Sequence, residues 1–213
     1  VEQAAGITTI NTKFKENLEI TNFDEFQYFV NYTNSNGRYL DSANNNRIDS
    51  SPFQNCINLK SIVLPPSIFN IALSFLANTK ISKILIPKSV GLCDVATFKN
   101  CVNLTSIVFE DGGDVPLYVG GDLWLENTQV TILVLPFKTY RIRGYWRRGS
   151  NLNTLYVKST IPPILEHGWG DNPDTCDLYV PIGCKEVYAS ATNWGSFRTI
   201  TEYDFDLNPN NVH

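Results

Sequence analysis

The amino-acid sequence is poor in the residues that most catalytic and metal-binding sites require. It has no methionine and only two histidines, His167 and His213, in 213 residues. No cysteine stands in a C-x-x-C pair, so the sequence has no zinc-site spacing. It also has no G-x-S-x-G nucleophile elbow and no glycine-rich phosphate loop. The sequence therefore predicts no catalytic residues, no metal site and no cofactor.

Charged side chains are also scarce, and neither sign dominates the chain. They make up 18% of the residues, and the formal net charge is -4. A surface of this kind has no overall basic field to attract nucleic acid or an anionic membrane. No run of about 18 apolar residues occurs, which excludes a transmembrane helix. We therefore expect no nucleic-acid partner and no direct membrane span.

One pattern of apolar residues recurs six times along the chain. The segments FQNCINLKSIVLP and FKNCVNLTSIVFE, residues 53–65 and 98–110, are nearly identical. Their common pattern has an aromatic anchor, followed by apolar residues six, nine and eleven positions later. A unit this short cannot bury an apolar face alone, whereas stacked copies bury one continuous core. The six anchors, separated by 22, 23, 26, 22 and 23 residues, are Phe53, Phe75, Phe98, Trp124, Trp146 and Trp169.

This repeat predicts a solenoid with one strand in each turn. The L-x-x-I-x-L part of each repeat is a short strand, which a proline ends in four of the six repeats. Strands stacked about 4.8 Å apart form one parallel β-sheet, with the anchors in the core opposite it. We expect one structural domain, with a capping region at 1–52, repeats at 53–182 and a cap and tail at 183–213. Helical segments within 21–32 and 183–194 are expected to close the two ends.

These residues resemble the BspA-like leucine-rich repeat family of bacterial surface proteins. The resemblance covers about residues 53–187 and is carried most specifically by FQNCINLKSIVLPPSI, LIPKSV and FKNCVNLTSI. It implies an α/β repeat fold, a right-handed leucine-rich-repeat solenoid of about six repeats. The chain departs from the family pattern three residues after four of the anchors, where Cys is replaced by Asn78, Asn127, Gly149 and Asn172.

The resemblance also implies a location and a general role. It indicates a non-enzymatic protein exported by a Gram-negative bacterium, at the cell surface, associated with the outer membrane or extracellular. Such a protein binds host proteins or other surface molecules. Because the chain begins at Val1 and has no methionine, we expect either a trimmed sequence or a mature protein whose leader was removed, with a lipid anchor as an option upstream of Val1.

The five cysteines are an odd number, so they cannot all pair within one chain. Cys56 and Cys101 occupy the same core position two repeats apart, which places their Cα atoms roughly 9 to 10 Å apart. This distance is too long for a disulfide, and we interpret both residues as buried thiols. Cys176 and Cys184 flank a short stretch, and the sequence leaves open whether they are bridged.

Side-chain alternation along each strand predicts which residues face outward. Positions nine and eleven after each anchor point to the core, so positions eight and ten point to the open face. The position-ten column is apolar throughout and is a candidate binding stripe, although β-propensity alone would also explain it. The candidate ligand-binding residues on the two columns are Val63, Lys83, Leu85, Val108, Val134, Tyr156, Asp177 and Tyr179.

A second candidate site is the basic segment KTYRIRGYWRR, residues 138–148, in an otherwise acidic protein. Its mixture of cationic and aromatic side chains is able to bind an anionic glycan by charge and stacking, and a solvated turn is the simpler interpretation. The candidate residues in the basic segment are Lys138, Tyr140, Arg141, Arg143 and Tyr145.

Together these features favour a binding or adhesion module that recognises a protein or glycan at the cell surface. Two alternatives stay open at this point. One is a structural spacer within a larger surface protein. The other is a parallel β-helix enzyme that cleaves polysaccharides, which is disfavoured because each repeat has one strong strand and the position-eight column has one carboxylate, Asp177.

Overall fold

The computed structural model describes residues 2–7, 10, 13–32, 51–171 and 173–207. Much of the predicted N-terminal capping region, residues 33–50, lies outside the described residues. The two α-helices are short, α1 at Glu2–Ala5 and α2 at Lys185–Ser190, and 3-10 helices occupy Asp24–Tyr28 and Pro173–Thr175. The rest of the regular structure consists of parallel strands.

The strands following the aromatic anchors form the first face of a solenoid with about six turns. All described pairings on this face are parallel and in register, as in the pairs Ile84 with Ile107 and Leu155 with Leu178. The ladder is continuous within three groups, β1-β2, β4-β6 and β8-β10-β12-β13. The strands of the first face are β1 Asn22–Phe23, β2 Ser61–Ile62, β4 Lys83–Ile86, β6 Ser106–Phe109, β8 Ile132–Leu135, β10 Thr154–Val157, β12 Asp177–Pro181 and β13 Thr199–Tyr203.

A second parallel sheet covers the opposite side of each turn, so the prediction of one sheet was wrong. It has the strand order β11-β9-β7-β5-β3. Its inward residues continue the core, because Ile71, Cys93, Val119 and Ile142 are all fully buried. In three of the repeats a proline after the first-face strand begins the turn into the second strand, and its carbonyl oxygen accepts a backbone hydrogen bond three residues on; these prolines are Pro65, Pro87 and Pro136. The strands of the second face are β3 Asn70–Ile71, β5 Leu92–Cys93, β7 Leu117–Gly120, β9 Thr139–Arg143 and β11 Ile164–Leu165.

The core contains one aromatic side chain from every repeat, as the pattern predicted. All six anchors are at most 4% exposed. The rings contact each other from turn to turn, with centroid distances of 6.1 Å between Trp124 and Trp146 and 5.6 Å between Trp146 and Trp169. Burying such large rings removes much apolar area from water, and the contacts between turns therefore account for much of the stability of the solenoid.

A ladder of asparagine side chains joins the turns along one edge. The side-chain amides of Asn78, Asn100 and Asn127 each donate to Oδ1 of the asparagine one turn earlier, at 2.6, 2.8 and 2.8 Å. The first acceptor is Asn55, and all four residues have φ between 57° and 63°. Asparagine tolerates this left-handed conformation better than most residues, because its short polar side chain forms local hydrogen bonds.

The ladder corrects the alignment of the repeats. The sequence pattern placed Asn78 and Asn127 opposite the cysteines, whereas the structure places them with Asn55 and Asn100. The true counterpart of Cys101 in the preceding turn is Thr79, which lies 3.4 Å from its sulfur. The strands pair in the register that the sequence pattern predicted. The one-residue difference in alignment is therefore accommodated by the residues between each asparagine of the ladder and the strand that follows it.

The third repeat contains an insertion, since its anchor Phe98 and the next anchor, Trp124, are 26 residues apart. The extra residues form a loop between Glu110 and strand β7, Leu117–Gly120. This loop packs on the second repeat, where a Glu110 carboxylate oxygen accepts a hydrogen bond from the backbone N–H of Lys88 at 3.0 Å. The ladder of the first face is interrupted next to this insertion, between β6 and β8.

The two ends are closed mainly by aromatic packing, and the prediction of helical caps is not confirmed. At the N-terminal end a two-residue strand and a single 3-10 helix replace the predicted amphipathic helix. Phe23 and Phe26 contact the first anchor, Phe53, at 5.6 and 5.5 Å. At the C-terminal end α2 has six residues, and its buried Tyr188 donates a hydrogen bond to the Ser159 carbonyl at 2.8 Å.

All five cysteines are buried and none forms a disulfide. The structure confirms the interpretation of Cys56 and Cys101 as buried thiols, and it answers the open question for Cys176 and Cys184, which are not bridged. Burial raises the pKa of Cys101 and of Cys176 to about 11. Since the thiolate is the reactive form, these thiols are weak nucleophiles at neutral pH.

Candidate functional site

The first face presents the two outward columns that the strand alternation predicted. Buried and exposed residues alternate along β4, where Lys83 and Leu85 point outward and Ile84 and Ile86 point to the core. The same alternation occurs in β6, β8, β10 and β12. All eight candidate residues of the two columns therefore lie on the surface of one face.

An apolar column runs along this face through the first four turns. Val63 is 38% exposed and Leu85 is 48% exposed, and Val108 and Val134 continue the line as half-buried side chains. Paired strands lie about 4.8 Å apart, which places Leu85 next to Val108 across β4 and β6, whereas the strand ladder is interrupted from β2 to β4 and from β6 to β8. We name the residues Val63, Leu85, Val108 and Val134 the apolar column.

A groove of about 750 Å³ lies over the N-terminal half of the apolar column. Its floor includes Val63, Leu85 and Val108, and its borders include the exposed side chains of Lys60 and Tyr28. Lys83 also lines the groove. Glu110 lines the groove as well, and its carboxylate accepts a hydrogen bond from the backbone N–H of Lys88. The groove therefore combines an apolar floor with two lysines and one carboxylate, which is a surface able to hold an extended segment with apolar and acidic side chains.

At the other end of the first face the column changes from aliphatic to aromatic. Tyr156 and Tyr179 are paired across β10 and β12, and their rings are stacked with centroids 4.5 Å apart and planes 15° apart. Tyr203 contacts Tyr156 at 5.2 Å, and Phe205 contacts Tyr203 at 4.9 Å. We name these four side chains the aromatic cluster.

The aromatic cluster also affects the ionisation of its own hydroxyl groups. Burial among the neighbouring rings raises the pKa of Tyr156, and the nearby phenols of Tyr179 and Tyr203 add to this effect. The Tyr156 hydroxyl therefore stays protonated at neutral pH and is able to donate a hydrogen bond.

The Asp177 carboxylate forms hydrogen bonds within the protein, although the sequence placed it among the candidate ligand-binding residues. Its Oδ1 accepts hydrogen bonds from Arg198 Nε and from Thr199 Oγ1, both at 2.8 Å. Hydrogen bonding to Arg198 lowers the pKa of the Asp177 carboxyl group. The carboxylate thus links β12 to the last strand of the first face.

The basic segment is not a solvated turn, because residues 139–143 form strand β9 of the second face. Lys138, at its start, is buried, and its ammonium group donates to the carbonyl oxygens of Lys88 and Val90. Burial lowers the pKa of Lys138. Lys138 therefore joins the fourth turn to the second, and its ammonium group is directed to backbone carbonyl oxygens.

The two arginines of β9 lie beside a carboxylate and an aromatic ring. Arg141 forms a salt bridge with Glu166, and Arg143 Nε lies 4.0 Å from the same carboxylate. The Arg141 guanidinium also lies over the Tyr118 ring, 5.7 Å from its centroid. Glu166 compensates much of the positive charge, so an anionic ligand would have to compete with it.

The two tyrosines of the basic segment are exposed. Tyr140 is 45% and Tyr145 is 46% exposed. A bulge between β7 and β9 pairs Leu117 with Thr139 and Tyr118 with Arg141, which leaves Tyr140 unpaired and projecting. The structure thus keeps these two residues on the surface but separates them from the buried Lys138.

Several surface residues of the first face were not found from the sequence. Tyr203 is half-buried in the aromatic cluster on the outer surface. The available signal was the alternation in TITEY, residues 199–203, which continues the first-face strands by one more turn. Phe205, Lys60 and Tyr28 carry no periodic signal, because they lie outside the strands.

The described part of the chain contains no group of three or more His, Cys, Asp or Glu side chains placed to hold a metal ion. Within those same residues no helix is long and apolar enough to cross a membrane.

The repeat architecture and its sequence pattern identify the class of protein. The family model described as "BspA type Leucine rich repeat region (6 copies)" matches residues 26–153. This match covers more than half of the chain, and the chain belongs to the BspA-type leucine-rich repeat family. The resemblance that was read from the repeats is thus confirmed.

Comparisons with individual proteins add little to the family assignment. The chain is similar to a leucine-rich repeat protein from Bacteroides ovatus ATCC 8483, whose crystal structure was determined at 1.19 Å resolution. The identity is 14% and the TM-score is 0.28, and the similarity covers 71% of this chain and 50% of the other. The chain thus spans about half the length of that protein. No curated protein matches the chain.

Proposed function

We propose that this protein is an interaction module that binds an extended segment of a partner protein in the groove of the first face. The observation that carries the proposal is the continuous apolar column of Val63, Leu85 and Val108, which is partly exposed along three successive turns. Contiguous exposed apolar surface is uncommon on monomeric proteins unless it serves an interaction.

The groove determines the chemistry of the partner segment. Neighbouring strands are about 4.8 Å apart, so a floor of three strands is roughly 10 Å long and accommodates two alternate apolar side chains of an extended segment, which recur about every 6.8 Å. Lys60 and Lys83 favour carboxylates in that segment. Because the lysines are exposed, they contribute more to the rate and selectivity of association than to its affinity.

We further propose that the protein acts at or outside the bacterial cell envelope and without catalysis. This part of the proposal rests on the family and on the chemistry of the site. Cys101 and Cys176 are buried and their pKa values are raised, and the carboxylate of the position-eight column, Asp177, is held by Arg198 and Thr199. An adhesive role at the surface follows from this combination and is the more specific hypothesis.

The experiment is a binding screen with the full chain and two matched variants. An array of purified extracellular-matrix proteins and a displayed library of random peptides are the probes. Leu85→Asp with Val108→Ser places a charge and a hydroxyl in the groove, and Arg141→Ser with Arg143→Ser changes the second face. We expect a wild-type ligand that loses at least about tenfold in affinity to the first variant and little to the second.

Three outcomes would contradict this assignment. A ligand that survives the groove variant but is lost with the arginine variant would place the site on the second face. Absence of any ligand in both screens would favour the alternative of a structural spacer. Release of reducing ends from an acidic polysaccharide would favour the enzyme alternative. The number of strands in a turn no longer argues against that alternative, because the second sheet adds a second strand to the turns.

A further inference from the structure

The C-terminal end of the first face carries a recess with different chemistry from the groove. The recess has a volume of about 390 Å³ and is lined by side chains of Lys158, Ile182, Tyr203, Asp204, Phe205 and Asp206. It adjoins the aromatic cluster, since Tyr203 and Phe205 belong to both. The groove is lined by residues of the first three turns and of the N-terminal cap, so the two sites share no residue.

The loop that borders the recess is held in a defined conformation. Oδ1 of Asp204 accepts hydrogen bonds from the backbone N–H groups of Asp206 and Leu207, at 3.0 and 2.9 Å. This turn places Phe205 against Tyr203, with ring centroids 4.9 Å apart. The aromatic wall and the carboxylates are therefore positioned before any ligand arrives, which lowers the entropy cost of binding.

The charged groups at the recess indicate the charge of the ligand. Lys158 Nζ is paired with Asp111 at 2.7 Å, and its side chain is only 16% exposed. Asp204 and Asp206 contribute two further carboxylates, so negative charge exceeds positive charge. An anionic ligand such as a uronate or a sialylated glycan is disfavoured, because it would meet like charge.

The rings and polar groups of the recess match a saccharide. The rings that line it are Tyr203 and Phe205, whose planes are 64° apart, so they present a ring face beside a ring edge. The Asp204 and Asp206 carboxylates and the Lys158 ammonium belong to the same lining and supply hydrogen-bond acceptors and a donor. An aromatic face that is bordered by polar groups of both kinds matches a sugar ring, which has an apolar face and a rim of hydroxyl groups.

We propose that this recess, together with the aromatic cluster, is a binding site for an uncharged saccharide. Tyr203 and Phe205 contact the apolar face of a sugar ring, and Asp204, Asp206 and Lys158 bind its hydroxyl groups. The site is independent of the groove proposed above. A protein partner and a glycan would therefore bind to opposite ends of the same face.

The test uses calorimetric titration of the full chain with a defined panel of oligosaccharides. The uncharged probes are tetrasaccharides of glucose in α-1,4 and β-1,4 linkage, of mannose, of xylose and of N-acetylglucosamine. Trigalacturonate and an arginine-rich peptide are the charged comparators. We expect at least one uncharged probe to bind, with saturation-transfer NMR placing the sugar C–H protons against aromatic side chains.

The variants separate a binding role from a folding role. Replacing one stacked ring, in Tyr203→Ala or Phe205→Ala, weakens binding by roughly tenfold. Asp206→Asn keeps the shape of an exposed side chain and so preserves the fold, and it weakens binding of the same probe several-fold. Tyr28→Ala is the control, because it changes the groove proposed for the protein partner and leaves saccharide binding unchanged.

Each remaining result overturns the proposal. No binding of any uncharged probe up to about 10 mM, well above the affinity range of functional lectin-like sites, rules out the site. Binding that is insensitive to both Tyr203→Ala and Asp206→Asn places the sugar elsewhere. Tighter binding of trigalacturonate or of the arginine-rich peptide assigns the recess to an anionic glycan or a cationic protein segment instead.

Discussion

The side-chain amide of Asn100 donates to Oδ1 of Asn78 at 2.8 Å. These two residues are 22 positions apart, whereas paired residues of the strands that follow them, such as Ile84 and Ile107, are 23 positions apart. The asparagine ladder and the β-ladder therefore run side by side with different spacings. Each ladder contributes its own hydrogen bonds between turns, and each can be weakened separately by substitution.

Replacing Asn78 by alanine is expected to destabilise the protein by about 2–4 kcal/mol. The change removes two side-chain hydrogen bonds, each worth about 1 kcal/mol, and places alanine at φ 63°, which costs about 1–2 kcal/mol. Asn78→Gly removes only the first contribution and should cost less. Urea unfolding measures both, and the exposed Asn103→Ala is the control. Equal stability of Asn78→Ala and Asn103→Ala would show that the ladder contributes nothing.

Adjacent residues 145 and 146 should respond very differently to truncation. Trp146 is fully buried between Trp124 and Trp169, so Trp146→Ala leaves a large cavity and is expected to cost about 3–5 kcal/mol. Tyr145 is 46% exposed, and Tyr145→Ala should stay within about 0.5 kcal/mol of the wild type. Thermal and urea unfolding of the two variants test this contrast. Similar losses would mean that the core is arranged differently from the one described.

Lys138→Met is expected to destabilise the protein by about 1–3 kcal/mol. The substitution keeps the length of the side chain but leaves the buried carbonyl oxygens of Lys88 and Val90 without their donor. Lys99→Met is the matched control, because the salt bridge of Lys99 with Glu126 is partly exposed and should be worth less than about 1 kcal/mol. A larger loss in Lys99→Met than in Lys138→Met, measured by urea unfolding, would refute the structural role of Lys138.

The buried thiols predict a loss of stability at alkaline pH. Burial raises the pKa of Cys101 and Cys176 from an ordinary 9.0 to about 11. Above pH 9 the unfolded chain therefore releases these protons while the folded chain keeps them, so the free energy of unfolding falls as pH rises from 9 to 11. We expect about 1 kcal/mol per thiol at pH 10.

The measurement is the urea midpoint between pH 7 and pH 10, for the wild type and for Cys101→Ala with Cys176→Ala. The double variant should be less stable at pH 7 because of the small cavities, but its midpoint should change less with pH. Parallel pH profiles in the two proteins would exclude the thiols as the cause.

Arg198→Ala should raise the pKa of Asp177 towards its ordinary value. Hydrogen bonding to Arg198 is the main cause of the lowered pKa, and Thr199 contributes further. A carboxyl group whose folded pKa is lowered adds stability above its ordinary pKa, and this stability is lost as pH falls through the folded pKa. The pair is largely solvated, so the effect on global stability is small. NMR titration of the Asp177 carboxyl carbon tests the shift, and an unchanged pKa in Arg198→Ala would contradict it.

Much of the architecture is predictable from the sequence, because each of the six repeats must place apolar side chains at the same positions of the core. The anchors and the inward strand positions were predicted correctly, since each must fill the same space between neighbouring turns. The second sheet was not predicted because three of its strands, β3, β5 and β11, are only two residues long and bury few side chains. In the fifth repeat the second-face strand β11 buries Leu165 alone, and Ile164 is exposed.

The candidate site was only partly predictable for a different reason. Alternation along a strand determines which face a side chain occupies, and it located the apolar column and the pair of Tyr156 and Tyr179. It carries no information on partners that come from distant segments, such as Arg198 for Asp177 or the carbonyl oxygens of the second turn for Lys138. Local pattern therefore predicts exposure, whereas pairing between turns decides which exposed or charged groups are available to a ligand.

Because the asparagine ladder and the β-ladder have different spacings, the number of residues between an asparagine and the following strand can differ from turn to turn. One residue can be inserted or deleted between an asparagine and the strand that follows it, and both sets of hydrogen bonds between neighbouring turns persist. Ile62 lies seven positions after Asn55 in the first turn and Ile107 lies seven after Asn100 in the third, whereas Ile84 lies six after Asn78 in the second. Single-residue slips during evolution are thus absorbed at this joint, and the binding surface on the first face can vary in sequence without losing its alignment.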